Sequence, residues 1–355
     1  MSVEKAGEAI DRYVHLIRTE SFAKYEKDFT RRIQEGLIKG FNQGFNELDL
    51  VKEIVNSVNR MSKSFDKFKI TTRGIFIHGS RSRVEFEYYG KRVRRELGDL
   101  IFILSIIYNG KKYFEKLTIS QAKKGDSRLR WNLSNREQVY LLSRFPQFRG
   151  VKGSIIPSRD FNLPNYSGCL GSFNLLFEPG DFIFISAQRL ESIVANRKSV
   201  SINALCRSWK ILDIYPFYSP YLYYYEKDIR FLYFLLHLTK NLIPPFVGVL
   251  GYSHYSPHVY DFSDKYLRGY IGELIYSKVR IYNKPALEFL LRLFYVMKEK
   301  ARREKINELE EFVREFLAYP YANYKRGVED VVKPDSNGGG IGIIYTLINL
   351  GERME

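Results

Sequence analysis

From Asp99 to Tyr108 the chain reads Asp-Leu-Ile-Phe-Ile-Leu-Ser-Ile-Ile-Tyr, apolar at odd and even positions alike. A strand with one wet face alternates, whereas a strand covered on both faces does not, so this segment is predicted to lie in the middle of a sheet. Asn109-Gly110 follows. That dipeptide suits a tight turn with both residues left-handed, and it predicts an antiparallel hairpin with the segment ending Ile119-Ser-Gln-Ala-Lys-Lys124. Upstream, residues 1–64 carry apolar residues at helical spacing among many charges; within 46–58 the stripe is Leu50, Val51, Ile54, Val55 and Val58. Strands and turns are expected over about 70–124, then a helix over 135–144 with Ser134 and Glu137 as a capping box. Further on, the pattern predicts strands at 170–177 and 182–186 and a helix over 187–197. One long amphipathic helix is expected from Pro285 to Leu317, its second half a solvated mixed-charge surface, and an apolar strand after the glycine-rich run at 335–340.

The hairpin's register decides what its side chains can do together. A strict two-residue loop pairs positions summing to 219, which sets Asp99 opposite Ser120 and turns Gln121 and Lys123 to the other face. A longer loop or an equivalent bulge raises the sum to 220, sets Asp99 opposite Gln121 and keeps Lys123 on the same face. In that second register an acid at one strand end meets an amide-x-lysine at its neighbour. Asp99 can ligate a divalent cation, Gln121 and the carbonyl of Ala122 can add oxygens, and Lys123 can sit where negative charge develops on an attacking water and a phosphate. Glu47 lies on the apolar stripe of its helix, where a carboxylate needs a partner; a metal would be one, the helix N-terminus another. Glu53 is the reserve acid. Glu96 reaches the site if Gly98 kinks the strand, and otherwise pairs with Arg94 or Arg95. Gln138 faces the side of Leu141 and Leu142, where it either supports the site or is a satisfied core amide.

These residues carry a resemblance. Glu96-Leu-Gly-Asp99-Leu, a hairpin, Gln121-Ala-Lys-Lys124, Trp131 and the helix before Arg144-Phe-Pro-Gln-Phe148 resemble the PD-(D/E)xK nuclease superfamily, in the variant where Gln replaces the usual Glu, as in Mrr-like restriction enzymes. The resemblance covers roughly residues 45–150. It implies an α/β fold with a restriction-endonuclease-like core, a mixed sheet flanked by helices. It also implies catalysis by Glu47, Glu96, Asp99, Gln121 and Lys123, and Mg²⁺, replaceable by Mn²⁺, held by Glu47, Asp99, Gln121 and Ala122, with Gln138 behind them. Hydrolysis of DNA in defence against foreign DNA follows from it too. Two alternatives stay open: an inactive nucleic-acid- or protein-binding module on the same fold, and an RNA-processing nuclease.

Charge points to the same partner. Of 355 residues, 56 are Lys or Arg and 40 Asp or Glu, giving a net charge of +16, which favours polyanions through counterion release. The basic residues crowd the approach to the acids at Arg81, Arg83, Lys91, Arg92, Arg94 and Arg95, and continue at Lys124, Arg128 and Arg130. Arg81, Arg83, Arg92, Arg94, Arg95, Lys124 and Arg128 are the expected nucleic-acid contacts; a generic basic surface is the plainer account.

The length predicts two domains, a nuclease-like domain over 1–150 and an aromatic-rich α+β domain over 151–355, with the boundary where Gly150, Gly153, Pro157, Pro164 and Gly168 punctuate the chain. The second is the expected contact for another copy or another protein. Tyr215, Tyr218, Tyr221, Tyr223, Tyr224 and Tyr225 favour a packed core or interface over base stacking. Cys169 and Cys206 read as reduced thiols of a cytoplasmic protein, and the start lacks an apolar signal region. The apolar stretch 229–251 is broken by charges and Pro244-Pro245, so it is expected in a core and not in a membrane. His254 and His258 stand four apart, but Pro257 between them breaks any helix and no glutamate accompanies them for a metal motif, and His78 beside a turn glycine reads as structural ahead of an acid–base role.

Overall fold

The computed structural model describes residues 2–65, 68–78, 82–194, 197–206, 252–278, 281–321 and 340–351. Arg81, the tyrosines of 215–225, the apolar stretch 229–251 and the glycines at 338 and 339 lie outside the described residues, as does the side chain of His78.

The architecture is α/β, a mixed nine-stranded sheet flanked by helices. Its path runs β1 (Met61–Phe65), β2 (Phe68–His78), β15 (Gly340–Asn349), β5 (Leu100–Tyr108), β6 (Lys111–Lys124), β10 (Gly171–Phe177), β11 (Asp181–Ser186), β13 (Tyr255–Ser256); β14 (Glu273–Ser277) pairs with the first half of β6. β5 is central, as its two-faced apolarity predicts. Ile101, Ile103 and Ile107 enter one core with α4 (Arg136–Arg144), α5 (Ala187–Val194), α7 (Lys284–Glu304) and α8 (Asn307–Ala318). Leu100, Phe102, Leu104, Ile106 and Tyr108 enter the other with α1 (Ser2–Ile17), α2 (Glu20–Asn42), α3 (Glu47–Val58) and α6 (Val259–Leu267). At about 1.5–3 kcal/mol for each fully buried apolar side chain, this one strand is a large share of what fixes the sheet.

β15, predicted as a closing strand, is inserted at the centre. It runs parallel to β5 and antiparallel to β2, so the last described strand separates two that are near neighbours in sequence. The boundary expected near 150 falls inside β8 (Phe148–Gly150), and strands from both sides of it share the central sheet and both cores. A second sheet, β4 (Lys91–Glu96), β3 (Arg83–Tyr88), β8 and β9 (Asp160–Phe161), lays Val84, Phe86, Phe148 and Phe161 on the first core. A third pairs β7 (Arg130–Asn132) with β12 (Ser199–Ser201).

Two local expectations are corrected. The long helix of 285–317 is two helices: Lys305 is left-handed at φ 55°, and the N–H of Ile306 returns to Ala301 O, letting Ile306 pack on the core. Within the stretch read as solvated, Lys300 is buried and pairs with Glu304. At α4 the cap is Asn135, whose side chain accepts from the Gln138 N–H, in place of the Ser134–Glu137 box; Glu137 instead pairs with Arg95 at 2.9 Å. No helix among the described residues is long and apolar enough to cross a membrane.

Candidate active site

The hairpin satisfies both halves of the register arithmetic. Its turn is the strict Asn109-Gly110 loop, with φ of 48° and 66°, and Tyr108 pairs with Lys111 and Ile107 with Lys112 in the 219 register. Tyr113 is then an extra residue on β6. From Ile106 opposite Phe114 onward the sum is 220, ending with Leu100 opposite Ser120.

Asp99 sits one residue beyond β5, pinned from both sides. Its N–H donates to Ser120 O at 2.9 Å, and its carbonyl accepts from Gly342 N–H of β15 at 2.8 Å. Its Oδ2 accepts from the Ala122 N–H at 2.9 Å and from the Gln121 side-chain amide. Because N–H and C=O of one strand residue point the same way, the Ala122 carbonyl also faces Asp99, where Gln121 Nε2 lies 3.3 Å from it. Behind Gln121, the Gln138 amide donates to Gln121 Oε1 and, at 3.2 Å, to Glu96 O. The chain Gln138 to Gln121 to Asp99 therefore fixes the carboxylate, and Gln121 acts on Asp99 through its nitrogen while its oxygen is held by Gln138.

α3 brings Glu47 to the end of the same strand. A Cβ on Gly74 of β2 would collide with the Val55 carbonyl, so glycine there lets α3 lie directly on the sheet. Glu47, at the helix start after the Asn46 cap, accepts from Lys123 Nζ at 3.2 Å and from the Lys124 N–H at 3.0 Å. Its side chain is 40% exposed and that of Lys123 19%, so the pair borders solvent. Glu53, the reserve acid, pairs away from the site with Lys39. Gly98 lies where a Cβ would press on Ile119 and the Ser120 carbonyl, and its own carbonyl accepts from Ser82 Oγ at 2.6 Å. The chain thus passes from the small sheet to the large one with Glu96 close enough to raise the pKa of Asp99. The expected partners of Glu96 are engaged elsewhere, Arg94 with Glu85 and Arg95 with Glu137.

Burial dominates the chemistry of Asp99. Its carboxyl is pushed from 3.8 to about 7, against the pull of the Ala122 N–H and Lys123 and with help from Glu96 and Glu47. A carboxyl whose folded pKa is raised stays protonated longer in the folded chain, so folding binds a proton between about pH 4 and pH 7 and stability declines across that window. In chelator, Asp99→Asn is expected to abolish this decline, with the variant melting above the native protein at pH 8 and close to it at pH 4. A variant that melts lower at pH 8 would show that the charged form is the better-held one.

The predicted basic contacts divide. Arg95 is tied to Asn135 and Glu137, and Lys124 donates to Phe45 O and lies over the Phe41 ring. Arg128 sits in an exposed turn built on Asp126. Arg83, Arg92 and Arg94 stand on the small sheet, where reading along the chain missed Arg149, their neighbour from β8. His258 caps α6, and His254 lies 3.5 Å from Cys169 Sγ and 3.1 Å from Ser186 Oγ. Among the described residues, no group of three or more His, Cys, Asp or Glu side chains could hold a metal. Comparison with protein-family models, curated proteins and solved structures yields no match.

Proposed function

We propose that this chain is a metal-dependent nuclease that hydrolyses phosphodiester bonds of DNA, on a core of the restriction-endonuclease type. One observation carries the reading: Asp99, the Gln121–Gln138 amides, the Ala122 carbonyl, Lys123 and Glu47 meet at the ends of two neighbouring strands, in the register the chemistry requires. The donor set fits Mg²⁺ or Mn²⁺. It offers two carboxylates, Asp99 and Glu47, and the Ala122 carbonyl; Mg²⁺ takes one or two carboxylates and keeps waters for its other positions, so a third acid is not required. Both bonds to Asp99 converge on Oδ2, which leaves Oδ1 for a cation. Bound there, the ion supplies a more acidic water and a polarised phosphate.

The protein's own part is positioning and charge. Gln138 and Gln121 hold the Asp99 carboxylate in one orientation. Lys123 sets an ammonium beside the scissile phosphate, and Glu47 holds that ammonium in place. Free thiols at Cys169 and Cys206 support a reducing, cytoplasmic setting. A role against foreign DNA rests on the resemblance alone. The second reading, a binding module on the same fold, is favoured by the way Lys123 and Glu47 satisfy each other, and by the Gln121 oxygen being turned to Gln138.

Plasmid, single-stranded DNA and RNA, each incubated with Mg²⁺, Mn²⁺ or EDTA, separate these readings. DNA cleavage with either metal and none with EDTA is expected. Cleavage of RNA alone would make this the RNA-processing enzyme, and three intact substrates would leave the binding module.

A further inference from the structure

The small sheet has one face on the core and one outside. Val84 and Phe86 point inward, so alternation puts Arg83, Glu85 and Glu87 of β3 outward, together with Arg92, Arg94 and Glu96 of β4. Across three strands a row forms, Arg94–Glu85–Arg149, each pair directly in register. Arg94 Nε lies 3.0 Å from Glu85 Oε2, Arg149 lies 3.2 Å from Oε1, and Arg92 Nε lies 3.6 Å from Oε1. The Glu85 side chain is only 11% exposed, whereas those of Arg92, Arg94 and Arg149 are 72%, 69% and 46% exposed. A sunken carboxylate therefore anchors three guanidiniums that keep donors turned to solvent, since each has five and the anchor engages only some.

A cavity of about 690 Å³ opens on this face, with Arg83, Arg94, Arg149 and Lys152 in its wall together with Ser154 and Ser158. Four cations surround the one carboxylate, Glu85. They are also spread out. Arg92, Arg94 and Arg149 gather on Glu85, whereas the backbone position of Arg83 lies about 7 Å along β3 from that row at the rise of a strand, and Lys152 adds a further cation to the wall. That spacing exceeds what one phosphate group spans and suits successive phosphates of a polymer. Arg83 pairs in register with Glu96, three residues before Asp99, so the charged face begins beside the site.

We infer that this groove is a docking track for the sugar–phosphate backbone of a nucleic-acid strand, leading it to Asp99. The inference rests on the nuclease reading for its substrate class and adds where that substrate is held. Recognition is through phosphate oxygens, so it is independent of sequence. The guanidiniums are fixed beforehand by Glu85, so little of their rotamer freedom is lost on binding.

The test is binding in EDTA, where no cleavage intervenes. A labelled oligonucleotide, single-stranded and duplex, is titrated with the native chain and with Arg149→Ala/Lys152→Ala over a range of salt. The variant is expected to bind about tenfold more weakly or worse near 0.1 M salt, with its log–log salt slope lower by about two, one per lost phosphate contact. An unchanged melting temperature confirms that the surface change leaves the fold intact, and Arg149→Lys/Lys152→Arg, which keeps both charges, should restore most of the affinity. Inorganic phosphate at millimolar concentration should not displace the oligonucleotide. An unchanged slope and affinity in the alanine variant, displacement by free phosphate, or no oligonucleotide binding by the native chain would each overturn the track. The nuclease reading fails separately: a native protein that binds through these residues yet cuts nothing with Mg²⁺ or Mn²⁺ keeps the track and loses the enzyme.

Discussion

Lys123→Ala is expected to lower phosphodiester cleavage by about two orders of magnitude or more while changing DNA affinity little. The ammonium stands at the end of β6, 3.2 Å from Glu47 and near enough to Asp99 to oppose the rise of its pKa. On the proposed nuclease reading, an ammonium so placed would do most where charge develops, on the attacking water and the scissile phosphate, and would contribute little to holding the ground-state polymer. Asp99→Ala should abolish cleavage, but for a different reason: it removes the buried carboxylate proposed to hold the cation, and with it the object that Gln121 and the Ala122 N–H hold. Since it also removes a carboxylate from the proposed phosphate site, metal-free binding of DNA by Asp99→Ala should equal or exceed that of the native chain. Single-turnover cleavage with saturating Mg²⁺, alongside binding in EDTA, reads both quantities. A binding module gives the reverse pattern, no metal-dependent cleavage in the native chain and a loss of affinity in Lys123→Ala in proportion to one phosphate contact.

The geometry of the candidate site was legible further than the fold that carries it. Local rules suffice for a hairpin: the Asn-Gly turn, the two-faced apolar strand and the need for a bulge are all written within 99–124, and the bulge stands at Tyr113. Glu47 could be singled out because a carboxylate on an apolar stripe must meet something, and it meets Lys123 and the Lys124 N–H. Gln138 was placed facing inward, and the structure adds that it grips Gln121. The position of β15 was not legible. An apolar run shows that both its faces are covered, yet a parallel partner some 240 positions away leaves no mark in either segment. The same holds for Arg149, whose cross-strand neighbour Glu85 lies 64 residues earlier. The break at Lys305 also escaped periodicity, because no glycine or proline marks it and the pull comes from Ile306 finding the core.

Glu115→Ala is expected to destabilise the fold by about 3–5 kcal/mol, because it removes the carboxylate paired with the buried Lys112 ammonium. Both side chains are fully buried, 2.7 Å apart. Ser105 donates to Glu115 Oε1 at 2.6 Å and the Tyr321 hydroxyl donates to Oε2, while Lys112 Nζ lies over the rings of Phe316 and Tyr321 at 3.6 and 4.7 Å. Residues three apart on a regular strand point to opposite faces. Lys112 and Glu115 share one because the extra residue at Tyr113 lies between them, setting Lys112 opposite Ile107 and Glu115 opposite Ser105. The pair thus depends on the same bulge that aligns Asp99 with Gln121, and it draws α8 and Tyr321 onto the hairpin that bears the site. Urea unfolding should show the loss in Glu115→Ala as one shifted transition; a shift worth less than about 1 kcal/mol would mean that Lys112 sheds its charge or escapes to water. Lys112→Met/Glu115→Leu, which replaces both charges by apolar groups of similar bulk, should recover most of the stability. It no longer rewards the bulge over the 219 register, in which Gln121 and Lys123 face away from Asp99. Cleavage in that stably folded variant should therefore fall below the native rate, and full cleavage would show that the bulge holds without the ion pair.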